Sequence, residues 1–249
     1  GFDTKRCKNM YAAFTELSIN LLDLNGLFCF IVPQSVVASK ETQSLRDLLL
    51  AQDGELTFQV FDSVPDFLFD QGKIESNSNT SINQRTTIIS LNKFAQKSLH
   101  TSPLLRWRRR EERDILFQSL KQLQINEADL DDGKVPMLEC KEDLHLYRKL
   151  RKCENKIASA LNGSSEHKLF IPKAVRYFIS AVPDDLQRSS IVLNVTEEEY
   201  SRVHITLNSN VFYWWWRVYG NGFQVDLDTI NRFPLLNVDK SVANELSEK

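Results

Sequence analysis

Apolar and polar positions divide the chain into short helix and strand signals that alternate from its first residues. Tyr11, Phe14, Leu17, Leu21 and Leu22 recur at the three-to-four spacing of one helical face, with Glu16, Asn20 and Asp23 on other faces. This predicts an amphipathic helix lying on another surface, stopped by Gly26 in a left-handed C-terminal position. Leu27 to Val32 is then an unbroken apolar run too short for a second helix. Such a run predicts a strand covered on both faces, as in the parallel sheets of α/β proteins. Only ten residues precede Tyr11, too few for a neighbouring strand and its crossover. The opening therefore reads as an excerpt of a longer chain, or as a sheet completed in another way.

Ser39 or Lys40 opens a second helix to about Leu50, with Leu45, Leu48 and Leu49 on one face. Leu56 to Phe61 and Arg85 to Leu91 read as strands at sheet edges, the second dominated by β-branched residues. Between them Gly72 to Gln84 is rich in Asn and Ser and lacks periodicity, which predicts a mobile loop, either an insertion or a functional lid. A helix is expected after Arg113 to about Leu123, a loop at Gly133 and Pro136, and a long helix from Glu142 to Leu161. Lys168 to Val182 and Ser190 to Val195 read as strands, and Thr196 as the start of an acidic helix. The fold class is α/β, in two domains, 1–100 and 101–249.

No apolar run approaches the roughly 18 residues of a membrane helix, and the N-terminus has no signal-peptide core. These features predict a cytoplasmic protein with no membrane partner. Cys7, Cys29, Cys140 and Cys153 form no CxxC pair, so reduced thiols are expected and no metal site. The net charge of −2 neither proposes nor excludes nucleic acid, because binding depends on clustering.

Catalytic chemistry is hard to find in the chain. It has no GxGxxG and no GxxxxGK[ST], and its four histidines are scattered. Asp62 and Asp66 read either as an acid and base pair brought together in space, which sequence alone does not show, or as solvated surface carboxylates. Arg106, Trp107, Arg108, Arg109 and Arg110 open a cluster that also holds Glu111, Glu112 and Arg113. Guanidinium forks match phosphate and an interleaved tryptophan can stack, so the cluster is either a nucleic-acid contact or a self-paired, solvated helix start. Phe67 and Phe69 follow a strand, as core residues or as aromatics against which a base can stack. Phe212, Tyr213, Trp214, Trp215, Trp216 and Tyr219 are too many rings for one helical face, which points to a core or an interface.

The order of these segments resembles the second half of the catalytic domain of DNA adenine-N6 methyltransferases from restriction-modification systems. The matching pieces are Tyr11 to Ser35, in the form YxxFxxxxxxLLxxxGxxxFIVP, the helix Lys40 to Leu50, Phe58 to Phe69, and RTTIISL. The tail Leu207 to Leu235, with LNS, aromatics and a closing FPL, resembles the end of that family's target-recognition domain. The resemblance implies a partial Rossmann-like methyltransferase sheet in 1–100, followed by an α+β DNA target-recognition domain in 101–249. It also implies methyl transfer from S-adenosylmethionine to adenine N6 of double-stranded DNA, with the target base flipped out of the duplex.

The family's glycine motif and catalytic (N/D)PP(Y/F) tetrapeptide are missing, for no two prolines are adjacent. The chain alone is therefore expected to bind no cofactor and to carry no catalytic residue, its partner being the upstream catalytic half of the same protein. Fusion to or pairing with a restriction nuclease is a further expectation. Phe69, then Phe67, is the candidate for stacking on the flipped adenine. Lys173, Arg176 and Tyr177 join the arginine cluster as DNA-contact candidates by side-chain type. The alternatives are a non-catalytic specificity or scaffold module of a restriction-modification complex, and an unrelated α/β interaction protein.

Overall fold

A computed structural model describes residues 1–63, 84–107, 111–175, 177–185, 189–222 and 224–247. The backbone divides into two compact units, Gly1–Lys141 and Glu142–Lys249. The first is mixed α/β, with elements α1 (Met10–Leu21), β1 (Leu27–Pro33), α2 (Gln43–Leu50), β2 (Glu55–Phe61), β3 (Thr86–Asn92), β4 (Ser98–Leu105), α3 (Glu112–Gln118) and β5 (Leu123–Ile125). The expected domain boundary near residue 100 falls within β4, a strand of the first unit's sheet.

Five strands form one mixed sheet in the order β1-β3-β2-β4-β5. β3 runs antiparallel to both β1 and β2, β2 is parallel to β4, and β5 closes antiparallel to β4. β2 and β3, expected at the edges, are interior strands. Phe58, Val60, Phe61, Ile89 and Leu91 are fully buried in them. Gly54 makes the turn into β2 with φ +111°, where a Cβ would lie 2.5 Å from the Asn92 carbonyl oxygen.

β4 is absent from the sequence-based expectation, and its polar residues explain why. Thr101 and Ser102 are buried, but the Thr101 hydroxyl donates to the Pro136 carbonyl at 2.8 Å, and Ser102 Oγ accepts from the Val60 N–H at 2.9 Å. The second bond sits where the β2–β4 register shifts between Phe58 and Val60, next to Pro103, which has no N–H to give. The serine hydroxyl oxygen thus takes the place of a backbone carbonyl as acceptor for the Val60 N–H.

β1 takes an edge of the sheet instead of being covered on both faces. Phe28 and Val32 are buried, whereas Leu27 and Ile31 are 69% and 53% exposed. α1 is turned the same way. Of its expected apolar face, Phe14, Leu17 and Leu21 are exposed at 51%, 41% and 77% and Tyr11 and Leu22 are half-buried, while Ala12, Thr15, Glu16 and Ile19 are buried. The cause is local: the Glu16 carboxylate accepts hydrogen bonds from the Asp3 and Thr4 N–H groups and the Thr4 hydroxyl at 2.7–2.9 Å. Burial would raise this carboxyl, but those donors outweigh it and hold it below its ordinary value. Gly26 is not left-handed; a Cβ there would come within 2.5 Å of the Leu22 side chain.

The second unit contains α4 (Lys141–Lys152), whose first residue closes the first unit, then β6 (Lys168–Pro172), β7 (Ser190–Asn194), α5 (Tyr200–Leu207), α6 (Asn210–Tyr219), α7 (Leu227–Asn231) and α8 (Lys240–Ser247). β6 and β7 pair antiparallel, turning Leu169, Ile171, Ile191 and Leu193 inward. The aromatic block is core. Trp215 stacks on Tyr219 at 4.8 Å and on Tyr147 of α4 at 5.6 Å, and its indole N–H donates to the Thr229 carbonyl. α4 ends at Lys152 and not at Leu161, because the Lys156 ammonium folds back onto the Leu150 and Arg151 carbonyls at 2.7 and 3.2 Å.

Candidate functional site

The carboxyl ends of β2 and β4, where α/β sheets tend to place their sites, carry a buried charge cluster. Asp62 follows β2, Arg85 precedes the antiparallel β3, and Arg106 follows β4, so strand order alone brings them together. Asp62 Oδ1 accepts from Arg85 Nε at 2.6 Å, and Oδ2 accepts from Arg106 Nε. Side-chain exposure is 1% for Asp62, 8% for Arg85 and 26% for Arg106. Burial by itself would raise the Asp62 carboxyl. The charge of Arg85, then the hydrogen bond and charge of Arg106, outweigh that and hold the group below its ordinary value, so it is ionised at neutral pH.

The reading of Asp62 as a solvated surface carboxylate is thus corrected. Its two partners lie 23 and 44 residues away in sequence, which hides the pairing from any local pattern. The cluster also joins two residues, Asp62 and Arg85, that stand on either side of segment 64–83 in sequence. The Arg85 carbonyl accepts from the Gln34 N–H at 2.9 Å just beyond β1.

The candidates from sequence fall in different places. Arg106 belongs to the charge cluster. Trp107 is 3% exposed and packs with Phe61 and Leu105, its ring edge-on to Phe61 at 6.4 Å, so it is a core residue and not a stacking surface. Lys173 and Tyr177 are both exposed in the second unit. Phe67, Phe69, Asp66, Arg108, Arg109, Arg110 and Arg176, with the polar stretch from Gly72, lie outside the described residues. Phe178, 72% exposed beside Tyr177, was missed.

A cavity of about 250 Å³ opens at the amino ends of β2 and β4, among Leu50, Leu56, Leu99, Ile125, Lys97 and Glu127. It is at the opposite end of the strands from Asp62. S-adenosylmethionine needs a tight glycine turn between strand and helix so that the backbone can approach it. The turn after β1 is a 3-10 helix, Gln34–Val37, with Gln34, Val36 and Val37 buried and no glycine. These residues do not fit that cofactor. Among the described residues no group of three or more His, Cys, Asp or Glu is placed to hold a metal ion, and no helix is long and apolar enough to cross a membrane.

No protein-family model matches the chain, and no curated protein matches it.

Proposed function

We propose that the chain is part of a DNA adenine-N6 methyltransferase, supplying one side of a Rossmann-like catalytic sheet and a target-recognition domain. The observation that carries this reading is the open edge at β1. An apolar strand, Leu27–Pro33, pairs on one side with β3, while its own Leu27 and Ile31, and Phe14, Leu17, Leu21 and Leu24 nearby in sequence, are left in water. Among the described residues nothing pairs with the other side. Free strand groups with apolar flanks are the surface on which a preceding strand and its helices continue an α/β sheet. In this reading the upstream half contributes the cofactor turn and the catalytic tetrapeptide. The Asp62–Arg85–Arg106 clasp fixes the stems of the segment carrying Phe67 and Phe69.

The test joins the reading frame upstream of Gly1 to this chain and measures methyl transfer from S-adenosylmethionine to duplex adenine. Methylation by the joined polypeptide, with none by the chain alone, is expected. A joined polypeptide that transfers no methyl group, or a chain that binds the cofactor at micromolar concentration alone, overturns the reading.

A further inference from the structure

Asparagine followed by glycine occurs three times in the chain, at Asn25–Gly26, Asn162–Gly163 and Asn221–Gly222. The pair has a chemistry of its own, because a glycine nitrogen, with no Cβ beside it, can approach the amide carbon of the preceding side chain. The fold treats the three pairs differently.

Asn162 lies between the 3-10 helix Ile157–Ala160 and β6, and its N–H ties it to the end of β7 by donating to the Asn194 carbonyl at 2.9 Å. Its Oδ1 accepts from the Ser164 N–H at 3.2 Å and from the Ser164 hydroxyl at 2.9 Å. Two donors thus converge on the oxygen that gains negative charge when a nucleophile adds to the amide carbon, as in an oxyanion hole. The nucleophile is prepared as well. The carbonyl of the peptide group joining Asn162 to Gly163 accepts from the Ser165 N–H at 3.0 Å, which draws electron density from the Gly163 N–H and eases its deprotonation. Among the described residues that N–H has no acceptor, and a Cβ at Gly163 would meet nothing within 4 Å.

The other two pairs are arranged against the same reaction. The Gly26 N–H is engaged by the Asp23 carbonyl at 3.0 Å, a Cβ at Gly26 would come within 2.5 Å of the Leu22 side chain, and among the described residues no donor reaches the Asn25 side chain. The Asn221 amide nitrogen stands 3.5 Å from the Asp226 carboxylate, whose charge opposes the build-up of another beside it.

We propose that Asn162 is a site of self-modification. The Gly163 nitrogen bonds to Cγ of Asn162, the bond from Cγ to Nδ2 breaks, and ammonia leaves with the proton given up by the glycine, closing a succinimide. Water then opens the ring at either carbonyl, giving aspartate or isoaspartate. An aspartate at 162 keeps both Ser164 donors, now to a carboxylate and therefore stronger, so the fold accommodates this product. The reaction needs only water and stands apart from the methyltransferase reading.

Peptide mass mapping of the full chain, held folded in mildly alkaline buffer over days, follows the exchange of amide for acid at all three sites. Asn162 should convert first. In urea its lead should vanish, since the unfolded chain keeps the sequence and loses the donors. Ser164→Ala should slow the folded reaction by about tenfold, less than for a donor in a water-excluded site. Gly163→Ala, for which the fold has room, should slow it further by hindering ring closure. Asn25 or Asn221 converting as fast as Asn162 in the folded chain, or a lead that persists in urea, overturns the proposal. Either variant reacting at the wild-type rate does the same, because the step would then use neither the Ser164 donor nor the Gly163 nitrogen.

Discussion

Replacing Asp62 by Asn removes the carboxylate charge that the Arg85 and Arg106 guanidinium groups meet, while keeping the shape of the side chain. Breaking a buried ion pair from one side costs roughly 3–5 kcal/mol, because the remaining charge stays desolvated. Arg85, at 8% exposure, meets that description, whereas Arg106, at 26%, can regain part of its hydration. The lower end of the range follows, about 3 kcal/mol, read as a shift of the urea midpoint at an unchanged slope.

The pH dependence supplies a second check. The folded carboxyl is depressed, so its stabilisation is complete above the unfolded value of about 3.9 and is lost as the pH falls through the lower, folded value. The gap between wild type and Asp62→Asn should stay flat from about pH 8 to about pH 5 and narrow below about pH 4. A variant within about 1 kcal/mol of wild type at pH 7, or a gap that fails to narrow in acid, would refute the reasoning.

Arg46 is fully buried and donates to the carbonyls of Gly133, Val36 and Ser39 at 2.8, 3.0 and 2.7 Å, tying the start of α2 to the loop before Val135. Burial lowers its guanidinium to about 10, so it remains charged at neutral pH. Arg46→Met should cost about 3 kcal/mol in urea unfolding by removing the donor to the Gly133 carbonyl and the guanidinium bonds to Val36 and Ser39, which keep only the Thr42 groups, and Arg46→Lys should recover little because a single ammonium cannot span them. Leu17→Ser with Leu21→Ser should change stability by less than about 0.5 kcal/mol and lower binding of a hydrophobic dye; a large loss of stability would mean that this face is covered in the free chain. His204 lies between the Ser247 hydroxyl and the Ala181 carbonyl, with burial holding it below its ordinary value. Its depressed value stabilises the fold above the unfolded value of about 6.5, a contribution lost as the pH falls through the folded one, so His204→Asn should flatten the thermal stability profile between about pH 7 and pH 5.

The elements legible in sequence were those whose local signals were strong. β3, with Thr86, Thr87, Ile88 and Ile89, falls within a residue or two of expectation, and the aromatics of α6 pack in the core as their number suggested. What failed depended on distant partners. β4 contains His100, Thr101, Ser102 and Pro103, and becomes a buried strand only because Val60 and Pro136 satisfy its hydroxyls. The end of α4 is set by the ammonium of Lys156 beyond it. Of the site, the arginine cluster was visible as composition, but the sorting of Arg106 into a clasp and Trp107 into the core required the register of three strands. Asp62 had no signal of its own, since one carboxylate after a strand looks the same whether or not two arginines await it.

The orientation of α1 is where local chemistry and apolar periodicity disagree most openly, and the disagreement bears on what the chain is for. A rotated helix would bury Phe14, Leu17 and Leu21, each worth roughly 1.5–3 kcal/mol when fully covered. It would also remove the Glu16 carboxylate from three donors, bonds to a charged group worth about 1.5–3 kcal/mol apiece. The two sums are similar in size. The arrangement with Glu16 inward therefore gives up little, provided the apolar face finds cover elsewhere. A docked strand and helix at the β1 edge would provide that cover and leave all three Glu16 bonds in place, so both contributions are realised together only when the edge is occupied. On this reasoning Glu16→Gln should weaken the association of the upstream half more than it weakens the fold of the first unit, because it loosens the element that presents the face. Equal losses in both measurements would reduce Glu16 to an ordinary cap.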